Sequence, residues 1–372
     1  MRIKSIEVRE IKATLPGGFS GGTYELGHRA ALVCRVATDD GLVSEISVGN
    51  THAYDPAIKT LIRGSFRDAL VGQDPLLVEK HWHSMMGFSR RYGTQLNVIR
   101  ATSVVDVALW NLKGLIMGQP LWRLIGGARP TVPIIGIGGY YQTSGDEKGI
   151  REEVAFFKRD GAAGVKFKVG AKSLEEDAER VRIARDAGGP DYVIVVDSNQ
   201  AWTPRDAAKF AEMILPYNPE WLEEPVHWSS GGRGMREVRL KTGIRIGAGQ
   251  SERSVYDNFE FLTSGAVDVL NQTVFLGGGI TPWVRLAGAA ALADISVAQV
   301  AEPHLGMHLM AGVWNSTFVE YYPNVDRDPF WSELYPDHPK PVGGMITAPT
   351  KPGIGLTLDR DAVERYATEP WS

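Results

Sequence analysis

The sequence predicts an α/β fold, a closed barrel of parallel strands preceded by a smaller α+β unit. Three observations carry this. First, from Pro130 onward short apolar segments alternate with helical ones at intervals of roughly 20–30 residues, the rhythm of repeated βα units. Strands are expected at 132–137, 164–169, 193–196, 221–222, 244–247, 267–270, 296–300 and 317–319. Second, helix starts fall between them. Ser173-Leu174-Glu175-Glu176 is a capping box, and Thr203-Pro204 sets an N-cap before proline at the first helical position. Third, no Gly-x-Gly-x-x-Gly follows an early strand and no single switch point gathers the polar residues, which argues against an open doubly wound sheet.

The N-terminal part reads differently. Residues 3–12 and 30–37 have the apolar patterning of strands, and Asp39-Asp40-Gly41 reads as a hairpin turn. Between the strands, Pro16-Gly17-Gly18-Phe19-Ser20-Gly21-Gly22-Thr23 is expected to be a mobile loop that closes over the site. Helical spacing is clearest over 101–117, at Val104, Val105, Ala108, Leu112 and Leu115. Strands followed by helices suggest an α+β capping domain over residues 1–126, with a barrel domain over 127–340. The Pro/Gly-rich stretch 336–355 reads as a tether returning to the first domain, which residues from about 340 to 372 complete.

Composition narrows the function. The 372 residues suit a barrel of roughly 250 residues plus a smaller partner. A net charge of −4 with no long basic run argues against nucleic acid and anionic membrane as partners. No apolar run approaches the roughly 20 residues that span a bilayer, and the start lacks a signal-peptide core. The single cysteine, Cys34, sits in an apolar stretch and reads as a small buried hydrophobe, so a reducing cytoplasm is expected. Expected partners are a small-molecule carboxylate and further copies of the chain.

Chemistry concentrates at the carboxyl ends of the barrel strands, where barrel enzymes keep their functional groups. The second barrel strand holds Lys166 and Lys168, two apart and therefore on one face. Two close cations depress each other's pKa, which suits a lysine base. The third strand ends at Asp197 and Asn199, the fourth at Glu223 and Glu224, the fifth at Gln250 and Glu252. Acids converging from successive strands offer the oxygen ligands that a hard cation such as Mg²⁺ takes. Glu320, ending the eighth strand, reads as a hydrogen-bonding partner of a substrate oxygen or as half of a rim ion pair. His52, after Gly49-Asn50-Thr51, reads as a substrate contact or a loop-packing histidine.

In order and spacing these motifs resemble the mandelate racemase branch of the enolase superfamily, over nearly the whole chain. The residues that carry the resemblance are the Ala101–Gly114 helix, Leu121-Trp122-Arg123-Leu124-Ile125-Gly126-Gly127, Lys166-x-Lys168, Asp197-Ser198-Asn199-Gln200, Glu223-Glu224-Pro225 and the closing Pro352–Asp359 segment. The resemblance implies a (β/α)7β modified TIM barrel under an α+β cap, Mg²⁺ and an enolate intermediate. It implies Lys168 as base, Lys166 beside the substrate carboxylate, Asp197 and Glu223 as metal ligands, and Glu320 assisting the enolate oxygens. Asn199, Tyr24 and His52 are taken as substrate contacts.

Two positions depart from the family pattern. The third metal ligand, usually an acid after the strand-five glycine, is replaced by Gln250, with Glu252 the nearest acid and slightly favoured here. The second base of the racemase, a histidine held by an aspartate, falls at Val300 and Thr273; His304 and Glu302 are the nearby candidates. One strong base without an opposite one favours a dehydratase (a hydro-lyase) acting on a sugar acid to give a 2-keto-3-deoxy acid. A racemase, epimerase or cycloisomerase of another carboxylate is the alternative, and an inactive barrel serving as a binding protein is the reading from another class.

Overall fold

The computed structural model describes residues 1–51, 54–90 and 95–372; of residues 50 and 51 only the backbone is described, and His52 lies outside the described residues. Three long strands open the chain as an antiparallel sheet: β1 (Ile3–Ser20), β2 (Glu25–Thr38) and β3 (Val43–Thr51). In register Val8 faces Cys34, and Cys34 faces Ile46. All three are fully buried, and burial pushes the Cys34 thiol up to about 12, so it behaves as the small hydrophobe expected.

The helix Gln95–Met117 lies against this sheet. Its carbonyl of Ala108 accepts from Ser44 Oγ (2.9 Å), and its Asn111 Nδ2 donates to the same hydroxyl (2.9 Å). These buried bonds tie helix to sheet where apolar packing alone leaves the register free to slide.

Eight parallel strands then form the barrel: β4 (Thr131–Gly138), β5 (Gly164–Lys168), β6 (Val193–Asp197), β7 (Trp221–Glu223), β8 (Ile246–Ala248), β9 (Val269–Gln272), β10 (Ser296–Gln299) and β11 (Ser316–Tyr321). Each pairs with the next, and β11 closes on β4 with Glu320 opposite Ile135. Each overlaps an expected strand. Ile135, Val195, Trp221, Val269 and Ala298 fill the barrel axis as one apolar cluster. The surrounding helices start as the sequence signals: Ser173 and Glu176 form the reciprocal capping box of Leu174–Gly188, and Thr203 caps Pro204–Ile214.

Within the stretch expected to tether the barrel to the cap, β12 (Met345–Thr347) pairs antiparallel with β4. The chain end then runs along β1, where Val8 N–H donates to Ser372 O (3.0 Å) and Thr368 N–H to Glu10 O (3.0 Å). Among the described residues no helix is long and apolar enough to cross a membrane.

The glycine-rich stretch departs from expectation. It is not an open loop, because β1 continues through Ser20 and pairs with β2 up to Ser20–Glu25. Gly17 and Gly18, at φ of +72° and +66°, absorb a bulge where the register shifts between Thr14 and Phe19. The turn Gly21–Tyr24 forms the tip, and the tip rests on the barrel mouth. Thr23 Oγ1 donates to Asn199 O (2.8 Å), and a Cβ at Gly22 would stand 2.3 Å from Val169 O. Glycine is required there for close approach, since a side chain would push the tip off the barrel.

Candidate active site

The barrel mouth opens into a cavity of about 320 Å³ beneath the sheet and the hairpin tip. Its floor follows from strand alternation. Lys166 and Lys168 on β5 point the same way, and register puts Lys168 beside Asp197 on β6 and Asp197 beside Glu223 on β7. The resulting charge cluster is almost fully buried. Lys168 Nζ lies 2.6 Å from Asp197 Oδ2 and donates to Asn199 Oδ1 (3.1 Å). Lys166 Nζ lies 2.5 Å from Glu223 Oε1, 3.3 Å from Asp197 Oδ2 and 3.4 Å from Glu320 Oε1.

This arrangement reverses one expectation. The lysines were expected to lower each other's pKa, and burial does work that way. The acids outweigh it: Asp197 and the surrounding phenols raise Lys168 well above the usual lysine range, and Glu223, Glu320 and Asp197 raise Lys166. Burial works against the Asp197 carboxylate too, yet the two ammonium groups hold it below the usual carboxylate range. For Glu223 burial wins, and its pKa is pushed up to about 7.

Backbone strain marks the same end of the barrel. Asn199, Gln200, Glu224, Ala301 and Glu302 all have positive φ, and each lies within three residues of the end of β6, β7 or β10. Non-glycine residues adopt this conformation at a cost of about 1 kcal/mol or more each, which the packed barrel offsets.

The structure separates the two candidates for third ligand. Gln250 joins the cluster: its Nε2 donates to Asp197 Oδ2 (3.1 Å) and Glu224 Oε2 (3.2 Å), and its Oε1 accepts from Lys166 (3.2 Å). Glu252 instead lines a neighbouring open cleft with Trp228, Arg233 and Asp257, where burial pushes it up to about 7. Gln250 thus stands within the cluster, and Glu252 at its edge toward the cleft. After the tight turn at Gly249, the strand direction aims the first side chain inward and carries the third away.

His304 stands apart from this cluster. It heads the helix Pro303–Gly312, 6% exposed, with its ring stacked on Tyr335 (4.7 Å between centroids) and Nε2 2.9 Å from Ser47 O. It packs the barrel against the capping sheet and does not line the active-site cavity. Glu302 turns the same way, its Oε1 accepting from Gly49 N–H (2.6 Å). The wall where a second base would stand is formed by Thr273 and Val300.

Tyr24 and Asn199 line the cavity. Glu320 lies below it, 1% exposed, accepting from Asn271 Nδ2 (2.8 Å), which also donates to both Glu223 oxygens (3.0 Å each). Its carboxylate belongs to the buried ion cluster beside Lys166 and not to a pair at the rim. Sequence reasoning missed Asn271 and the arginines Arg29, Arg100 and Arg327 of the cavity wall. Strand alternation on β9 could have found Asn271. Nothing local singles out Arg327, which sits in the polar loop Asp326-Arg327-Asp328.

Residues 5–126 match the mandelate racemase/muconate lactonizing enzyme N-terminal domain, and residues 149–362 the enolase C-terminal domain-like family. The chain belongs to the mandelate racemase/muconate lactonizing enzyme family of the enolase superfamily. A family member from a marine actinobacterium, solved in complex with magnesium, is 34% identical, covers 99% of both chains and superposes with a TM-score of 0.92. L-rhamnonate dehydratase of Saccharopolyspora erythraea is 30% identical over 88% of this chain and 83% of its own. The 3,6-anhydro-alpha-L-galactonate cycloisomerase of Streptomyces coelicolor is 28% identical over 90% of this chain and 91% of its own. Relatives of comparable likeness thus carry out different reactions, and the choice among them falls to the cavity.

Proposed function

We propose that the protein is a magnesium-dependent enzyme that removes the proton α to a carboxylate and then expels a hydroxide, dehydrating a sugar acid to a 2-keto-3-deoxy acid. The residues fit the metal. Asp197 and Glu223 are adjacent, fully buried carboxylates, and Gln250 reaches the same cluster, its amide nitrogen toward Asp197 and Glu224 and its oxygen toward Lys166, so that turning the amide over would offer the oxygen to a cation. Glu224 Oε1 and Glu320 Oε2, buried without hydrogen-bond partners, add to an excess of acceptors in the cluster. When bound, magnesium supplies positive charge opposite the substrate carboxylate, in a site too dry for water to do so.

The chain's own groups supply the rest. Lys168, on the cavity side of Asp197, is the base. Lys166 neutralises charge on the substrate carboxylate and is itself held by Glu223 and Glu320. The hairpin tip, with Tyr24 over Lys168 (5.8 Å from Nζ to ring centroid), excludes water from the transferred proton.

One observation carries the choice of dehydratase over racemase. Among the described residues lining the cavity, Thr273 and Val300 hold the two places where the resemblance to the racemase puts its second base and the partner of that base, and neither transfers protons in that way. Inverting a carbon needs a proton donor on each face, whereas elimination needs one base and a proton for the leaving group. Relatives named as dehydratases of arabinonate, L-rhamnonate and D-gluconate agree with this reading. The intact lysine and carboxylate cluster favours an enzyme over an inactive binding barrel. The test is to incubate the protein and Mg²⁺ with a library of acid sugars in D₂O. Expected is a 2-keto product formed only from acids whose α-proton exchanges; a racemised, undehydrated product would overturn the choice.

A further inference from the structure

The strand that carries Lys168 is paired unequally on its two sides. Toward β6, pairing runs through Lys168, which faces Asp197, and Val169 N–H then donates to Asp197 O (3.0 Å). Toward β4, pairing stops one residue earlier, at Phe167 opposite Gly138. Gly139 turns away there at a φ of +74°, and a Cβ on it would stand 2.6 Å from Lys168 N. The carbonyl of Lys168 is therefore left without a strand partner on the β4 side. A buried carbonyl with no donor is costly, and a loose strand end would let the Lys168 side chain wander.

Arg180, from the helix Leu174–Gly188, takes the place of the missing strand. Its Nη1 donates to Lys168 O (3.0 Å), its Nη2 to Gly139 O (2.7 Å) and Ser144 O (3.2 Å), and its Nε to Ser144 O (3.3 Å). Asp177, fully buried in the same helix, accepts from Arg180 Nη1 (2.8 Å), Gly170 N–H (2.7 Å) and the Tyr141 hydroxyl (2.8 Å). One ion pair thus grips the backbone on both sides of the base, at Lys168 O and Gly170 N. The guanidinium is held flat between the rings of Tyr141 and Phe167, 4.0 and 4.9 Å from Cζ to centroid. Burying a charge is expensive, and the same helix packs by Ala178, Val181 and Ala184 at no such cost. Arg180 spends its donors instead on three carbonyls at the ends of two barrel strands, which calls for orientation rather than burial.

We propose that Arg180, fixed by Asp177, is a positioning residue for proton abstraction: it anchors the open end of β5 so that Lys168 meets the α-carbon from a fixed backbone. This rests on the reading above, in which Lys168 is the base. Neither Arg180 nor Asp177 lines the cavity, so the pair acts through Lys168 and not on the substrate. Its effect belongs to the proton-transfer step, while substrate affinity and the metal site, built from β6 and β7, are left to other residues.

The test compares Arg180→Gln and Arg180→Lys with the wild type on the full chain with Mg²⁺, using an acid sugar whose α-proton the wild type exchanges into D₂O. Calorimetric stoichiometry for Mg²⁺ counts the folded molecules, so that kcat is read per competent molecule. Arg180→Gln is expected to lower this kcat by about 10–100-fold, the scale of a reacting group misplaced by up to about 1 Å, with KM changed by less than about twofold. Arg180→Lys can still donate to Lys168 O but cannot span Gly139 and Ser144 as well, and should recover part of the loss. A smaller competent fraction with an unchanged kcat per molecule would make Arg180 a packing residue only and overturn the proposal. So would a loss confined to KM. If neither Arg180 variant folds, Tyr141→Phe decides, since it removes one donor to Asp177 and leaves Arg180 in place: a lowered kcat at constant KM supports the proposal, and an unchanged kcat overturns it. If the wild type exchanges no acid, it is the enolate reading that fails. Crystals of the wild type and of Arg180→Lys, or of Tyr141→Phe in its stead, then judge the anchor: a displaced Lys168 supports it, and an undisplaced one overturns it.

Discussion

Lys168 Nζ sits 2.6 Å from Asp197 Oδ2, so the proposed base and a proposed metal-ligand carboxylate form a buried ion pair. In that reading Asp197 must take another partner before Lys168 can accept a proton, which couples activity to metal binding through this contact. Lys168→Ala is expected to lower α-proton exchange by roughly 10²–10⁴-fold, the scale of a lost general base. Magnesium binding, read by calorimetry, should persist. Exchange at the wild-type rate would transfer the role of base to another residue.

The placement of Gln250 yields a second prediction. Replacing Gln250 with Glu restores a carboxylate among Asp197, Glu223 and Glu224, and should tighten Mg²⁺ by roughly tenfold while Gln250→Ala weakens it. Glu252→Gln should change the affinity little, since Glu252 faces the neighbouring cleft. Loss of Mg²⁺ binding in Glu252→Gln alone would show that the fifth strand presents its ligand differently.

Gly22 tests the hairpin tip. Gly22→Val places a side chain where Val169 O allows none. The tip should then stand off the barrel, lowering kcat/KM by roughly 10-fold or more with a melting temperature close to wild type. Wild-type kinetics in this variant would mean that the tip need not seat during turnover.

His304 predicts a pH dependence of stability rather than of activity. Burial pulls its pKa down to about 4, and that of His308 likewise. An unfolded histidine titrates near 6.5, so the unfolded chain takes up protons first as the pH falls. The stability contributed by the neutral, buried rings is fully present above about pH 6.5 and is lost as the pH falls through about 4, by up to about 3 kcal/mol for each ring. His304→Phe keeps the stack on Tyr335 and removes one titrating group. It should show a smaller drop in melting temperature between pH 7 and 5 than the wild type and still exchange the α-proton. An equal drop, or abolished exchange, would contradict the packing role.

Most of the fold was legible in the sequence because it depends on local periodicity. Each βα unit carries its own apolar strand and its own helix start, such as Ser173 or Thr203, and eight such units leave little choice but closure. The pairing of Lys166 with Lys168, and the order of Asp197 and Glu223 with Gln250 or Glu252 after them, were equally legible, because strand alternation and barrel geometry fix where strand-end side chains gather. Tertiary structure alone decided the rest. Gln250 and Glu252 share a parity along the chain, and only the turn after β8 sends one inward and the other to the adjoining cleft. The pull of the acids on the lysines was not legible, since those acids are brought in by other strands and outweigh a neighbour two residues away. The glycine-rich stretch became strand because β2 supplies hydrogen bonds that no local signal announces. Arg327 became a buried cation because Phe19, Tyr140 and Tyr322, far apart in the chain, enclose it. Local periodicity thus determines which elements form and which way their side chains point, while the electrostatic state of each group is set by neighbours distant in sequence.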